Sequence, residues 1–134
     1  MIDVSDSRFT APQSMAEAIC DYCAETKQNL PRTQGDYMRL VCQSLATEYA
    51  KVKQELEQSL GRKIKTIYIV GGGSQNGLLN KMTAQKTGCK VIAGPVEATA
   101  IGNIKVQAQA SGELSKDKPL RLKGDGMELK TFLP

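Results

Sequence analysis

Histidine is absent from this 134-residue chain, and that gap removes whole classes of chemistry. Ser-His-Asp and Cys-His nucleophilic catalysis need an imidazole, as do proton shuttles near neutral pH and most zinc sites. Tryptophan is missing too, and four Tyr and two Phe are all the aromatics, so platforms for stacking bases are scarce. No apolar run approaches the ~20 residues that cross a bilayer, so no membrane partner is expected. Charge of neither sign dominates: 18 Lys+Arg against 14 Asp+Glu leave a formal +4, and Arg62, Lys63 and Lys65 form the longest basic cluster. That is no basic stripe, and no nucleic-acid partner is expected. The first residues, MIDVSDSRFT, lack the basic start and apolar block of a secretory signal.

What is present suits one globular domain able to bury a core. Apolar residues make up 40%, charged residues 24%, and the 12 Gly show no three-residue period, unlike a disordered or collagen-like chain. Of four cysteines, Cys20 and Cys23 form a C-x-x-C, while Cys42 and Cys89 stand alone. A zinc site wants a second close pair, and a thioredoxin-type motif follows a strand. Here the pair lies in SMAEAICDYCAETK, which reads as helix. The thiols therefore read as small buried hydrophobes in a reducing cytoplasm, with no metal bound. A Cys23–Cys42 link stays open should those helices approach within disulfide range.

The chain divides by its periodicity. Residues 1–62 read as helical, 63–112 as a β-α-β-α unit, and 113–134, with Pro119, Gly124 and Gly126, as a polar surface tail. Ser14 and Glu17 have capping-box spacing before a helix to about Thr26, which would bury Met15, Ala18, Ile19 and Tyr22. Pro31 separates it from a longer helix over about 36–60. There Tyr37, Leu40, Val41, Leu45, Tyr49, Val52, Leu56 and Leu60 make an apolar stripe. The pairs Lys51–Glu55 and Lys53–Glu57 read as a solvated face, and Gly61 as the left-handed stop.

Beyond it the period shortens. IKTIYIV (64–70) and CKVIA (89–93) have the β-branched, mostly apolar composition of buried strands. A helix from Gln75 or Asn76 to about Thr87 joins them, so the strands should run parallel through a right-handed crossover. A last helix spans about 97–111, with Ala98, Ala100 and Gly102 as a small-residue surface for packing on the sheet. Gly102 inside that helix costs about 1 kcal/mol against Ala, which points to close approach of a neighbour.

The chemistry concentrates where the first strand meets its helix. IYIVGGGSQNGLLN sets Gly71, Gly72 and Gly73 at a strand's carboxyl end, where open α/β sheets bind ligands. Glycines let backbone amides reach an anion unobstructed, and the helix start beyond favours negative charge. Ser74 is placed as N-cap, and Gln75 and Asn76 could turn amides into the cleft. A tight turn alone needs fewer glycines, so the spacing points to phosphate or nucleotide contact. It is not the Rossmann fingerprint, which wants Gly where Asn76 stands, nor a Walker A loop. GPVEATAIGN (94–103) adds a second carboxyl-end turn, with Glu97 near a helix start and Asn103 either exposed or a contact.

IVGGGSQNGLLN followed by TGCKVIAGPVEATAIGN resembles the nucleotide-binding segment of the FGGY carbohydrate kinases. IDVSDSRFTAPQSMAEAI and SLATEYAKVKQELE extend the likeness over nearly the whole chain. The resemblance implies an α/β, actin/hexokinase-like (ribonuclease H-like) fold, of which this would be part of the C-terminal lobe. It also implies a nucleotide site lined by Gly71, Gly72, Gly73, Gln75 and Asn76. The implied reaction is ATP- and Mg2+-dependent phosphorylation of a ketose, L-rhamnulose at its 1-hydroxyl. Fuculokinase- or xylulokinase-like activity, and a non-catalytic nucleotide-binding or interaction domain, are the alternatives. The family's first phosphate loop and Asp general base have no counterpart here, and neither Asp3 nor Asp6 lies in the right motif. No catalytic residue is therefore expected, and the chain alone should be inactive, since phosphoryl transfer needs both lobes. Exposed sheet edges and uncovered apolar faces should drive self-association.

Overall fold

The structure, a computed structural model, describes residues 1–115 and 128–134. Two helices open the chain. Helix α1 (Met15–Glu25) starts at Ser14, whose hydroxyl accepts from the Glu17 amide. Helix α2 (Gln34–Leu60) carries a full capping box, with the Thr33 side chain on the Asp36 amide and the Asp36 carboxylate on the Thr33 amide. Amides of Arg32 and Thr33 together hold the Asp36 carboxyl below its ordinary range. Gly61, at φ 63°, ends α2 in the left-handed region as its position predicts.

The β-α-β-α unit follows as β1 (Thr66–Ile69), α3 (Gly77–Thr87), β2 (Lys90–Ala93) and α4 (Ala98–Ala110). Strands β1 and β2 are parallel, with Thr66 opposite Lys90 and Ile69 opposite Ala93. A third strand, β3 (Lys130–Phe132), lies antiparallel on β2, with Val91 opposite Phe132. The sheet order β1-β2-β3 makes β2 central, and Val91 is fully buried. The fold class is α/β.

Two apolar clusters hold this together. Ile2, Ile19 and Cys23 pack with Phe9, Tyr22 and Tyr37, joining the N-terminal segment to both helices. Arg8 fastens the same segment, bonding Glu25 at 2.7 Å and lying 5.2 Å from the Tyr22 ring centre. Cys42, Ala46 and Leu79 join α2 to α3, the most extensive helix contact in the molecule. The buried Thr83 and Thr87 hydroxyls donate to the Leu79 and Thr83 carbonyls, so neither is left unpaired. All four cysteines are free thiols, and Cys23 and Cys42 sit in separate clusters. The Cys23–Cys42 link is therefore not made.

Several expectations need correction. Met15 is exposed rather than buried, and Ala18 and Tyr22 are half-buried. The stripe on α2 is covered only over its first half, leaving Tyr49, Val52, Leu56 and Leu60 exposed. The reason is length: 27 residues make a rod of about 40 Å, more than twice the reach of the 11-residue α3. Among the described residues, helix α4 buries none of its own, and no atom outside it comes within 4 Å of where a Gly102 Cβ would stand. Its small-residue surface therefore does not pack on the sheet. The tail reading fails at its end, where 130–132 form β3; Pro119, Gly124 and Gly126 lie outside the described residues.

Nor is the charged face of α2 wholly solvated. Lys51 pairs with Glu48 at 3.6 Å rather than with Glu55. Glu57 is buried, and its carboxylate accepts from the Ile64 amide at 2.8 Å, from Lys53 at 2.9 Å and from Lys63 at 3.0 Å. The Ile64 amide, then the Lys53 ammonium, hold its carboxyl down at about 2. Glu57 thus ties the end of α2 to the chain entering β1.

Candidate functional site

The carboxyl ends of β1 and β2 carry two turns that brace each other. The Gly94 amide donates to the Ile69 carbonyl at 2.8 Å, and the Gly71 amide donates to the Pro95 carbonyl at 3.1 Å. Gly94, at φ 115°, has no room for a side chain, because a Cβ would collide with the Glu128 carbonyl. That contact seats the residues leading into β3 against the second turn.

Between β1 and α3 the chain makes a short 3₁₀ turn over Gly72–Gln75. Gly71, with φ 75° and ψ −164°, occupies backbone space closed to other residues. The next two glycines differ. Neither has a positive φ, an added Cβ at Gly72 would meet nothing within 4 Å, and one at Gly73 would only touch Ile69 at 4.0 Å. Neither conformation nor packing calls for glycine there, so the bare backbone faces open space.

The turn is held from beneath. The Ser74 hydroxyl donates to the Gly71 carbonyl at 2.7 Å, closing the turn on itself instead of capping α3. The cap is Asn76, whose Oδ1 accepts from the Leu79 amide at 3.0 Å while its amide nitrogen lies 3.7 Å from the Cys42 sulfur. The extra 3₁₀ turn displaces the helix start to Gly77, and so moves the cap from Ser74 to Asn76. Fully buried Asn80 donates from Nδ2 to the Ser74 carbonyl at 2.9 Å, and its Oδ1 has no partner among the described residues.

The structure thus brings Gly71, Gly72, Gly73, Gln75 and Asn76 into one turn but divides their roles. Gln75 is exposed, whereas the Asn76 amide is spent on the cap and on Cys42. Gln75 and Ser74 line a cavity of about 160 Å³ with Ala93, Val96, Glu128 and Lys130. Glu97 stands at the start of α4 without a capping bond, and Asn103 is exposed. Asn80, Glu128 and Lys130 were not expected at the site. Asn80 carries no signal beyond being one more polar helix residue, and LKTFL (129–133) lacks the apolar/polar alternation that marks a strand.

Among the described residues, no cluster of three or more Cys, Asp or Glu could hold a metal ion. No helix among them is long and apolar enough to cross a membrane.

Residues 1–111 match the sequence model of the FGGY family of carbohydrate kinases, C-terminal domain. A rhamnulokinase of Lactiplantibacillus plantarum is 42% identical over 134 residues, covering 99% of this chain and 28% of that protein. A rhamnulokinase of Bacteroides thetaiotaomicron is 41% identical over 135 residues, 100% of this chain and 28% of its own length. One from Bacillus subtilis is 38% identical over 134 residues, 99% and 28% respectively. The chain therefore spans 28% of the length of these curated relatives.

Proposed function

The chain belongs to the FGGY family of carbohydrate kinases, and on that footing we propose that it forms the nucleotide side of an L-rhamnulose kinase's C-terminal lobe. The reaction would transfer the γ-phosphoryl group of ATP to the sugar's 1-hydroxyl. One observation carries the nucleotide half of this reading: Gly72 and Gly73 are bare where neither fold nor packing needs glycine. Their backbone, with Gly71, would lie against the nucleotide phosphates. Gln75 would offer the free amide of the site, and Asn76 would hold the turn through its cap.

Phosphoryl transfer is achieved mostly by positioning and charge stabilisation, and this chain's share is the positioning of ATP. Mg2+ would supply charge neutralisation of the phosphates when bound. Among the described residues no cluster of three or more Cys, Asp or Glu would hold Mg2+ without the nucleotide, so the ion would arrive on the phosphates of ATP. No residue of the chain is proposed as general base, and the chain alone should not phosphorylate sugar. Four free thiols support placement in a reducing cytoplasm. Leu56 and Leu60 at the end of α2 and Tyr68 and Val70 at β1 are exposed, and β1 is an edge strand among the described residues; both support self-association of the isolated chain.

A chimera tests the kinase assignment. This chain would replace the matching segment of the Lactiplantibacillus plantarum relative, and L-rhamnulose-dependent ADP release would be followed. Turnover well above that of the relative truncated before the segment is expected. A folded chimera that binds L-rhamnulose but releases no ADP would overturn the reading.

A further inference from the structure

Strand β3 brings one charged residue to the glycine turn from a distant part of the chain. Lys130 lies opposite Ala93, the last residue of β2, and residues directly opposed on paired strands share a face of the sheet. Lys130 therefore stands at the carboxyl end of the parallel pair, and it lines the same cavity as Ser74 and Gln75. At about 160 Å³ that cavity falls below the roughly 300 Å³ at which pockets begin to enclose a whole ligand. It suits one small charged group at the end of a larger molecule. Among the described residues Lys130 makes no ion pair, although Glu128 lines the same cavity.

We propose that Lys130 is a cationic contact for the phosphate chain of the bound nucleotide, with Glu128 as the carboxylate that weakens it. This rests on the nucleotide reading above. The contact discriminates by charge: a triphosphate gains from it and an uncharged nucleoside does not.

The test is an amide-shift NMR titration of this 134-residue chain with MgATP and, separately, with adenosine. Lys130→Ala should weaken MgATP about fivefold, the effect of one unit charge a few ångströms away in water, and leave adenosine unchanged. Lys130→Arg should bind MgATP like the parent, and Glu128→Gln should bind it more tightly. If the alanine variant loses the β3 signals, Lys130→Met, which keeps the apolar stem, reads the same charge. A parent-like MgATP affinity in Lys130→Ala or Lys130→Met, or equal weakening of adenosine, overturns the role of Lys130 and leaves the glycine-turn reading standing. No shift at Gly71–Gly73 in the parent with either ligand overturns both.

Discussion

Glu57 shows how one side chain can decide a junction. A buried carboxylate is tolerated only when paired and hydrogen-bonded, and this one has a backbone amide and two ammonium groups. Its carboxyl titrates at about 2 when folded, below the range of an unfolded glutamate. Its stabilisation is therefore complete above that unfolded range and is lost as pH falls through about 2. Urea unfolding at neutral pH and at about pH 3 should show Glu57→Gln less stable than the parent at neutral pH and closer to it in acid. Parallel losses in both proteins would contradict this. Gly94 is the second such residue: Gly94→Ala meets the Glu128 carbonyl at φ 115°. It should cost about 1–3 kcal/mol in urea unfolding and reduce hydrogen-exchange protection in β3.

Elements were legible where their signals are local. Ser14, Gly61 and Gly88 mark helix ends through caps set by neighbours in sequence, and the β-branched runs at 64–70 and 89–93 mark the strands. The parallel pairing followed because one helix and short connections separate those strands. What escaped notice depends on distant partners. Glu57 lies on a charged helix face, and besides Lys53 on its own helix it is held by Lys63 and the Ile64 amide, which the chain brings back after Gly61. Helix α4 has the composition of a packed helix, yet none of its residues is buried among the described residues. The glycine turn itself was legible by its run of glycine, but the separate surroundings of Asn76, bonded as the cap of α3, and of exposed Gln75 were not. They depend on a 3₁₀ turn that periodicity cannot register. The box at Thr33 gives a direct check: Thr33→Ala should cost about 1 kcal/mol in thermal or urea unfolding, and an unchanged midpoint would remove the cap's role.

As a whole, the molecule has more apolar surface than its own elements cover. Strand β1 exposes Tyr68 (67%), Val70 just after it is exposed too (55%), α2 exposes its last two turns of apolar residues, and α4 leaves Val106 outside. Light scattering with size-exclusion chromatography should find a dimer or larger species, and Leu56→Lys with Tyr68→Lys should shift it toward monomer. A concentration-independent monomer would contradict the self-association reading. The proposed nucleotide half-site does not share that partial coverage: the glycine turn is braced by the second turn of the sheet and by Asn80 of α3, so on that proposal it should bind nucleotide in the isolated chain. The most direct test of that account is an amide-resolved titration of the isolated chain with MgATP. Saturable shifts centred on Gly71, Gly72, Gly73 and Gln75, in the millimolar range, are the predicted result. Shifts confined to residues outside the glycine turn, or no shifts at all, would contradict it.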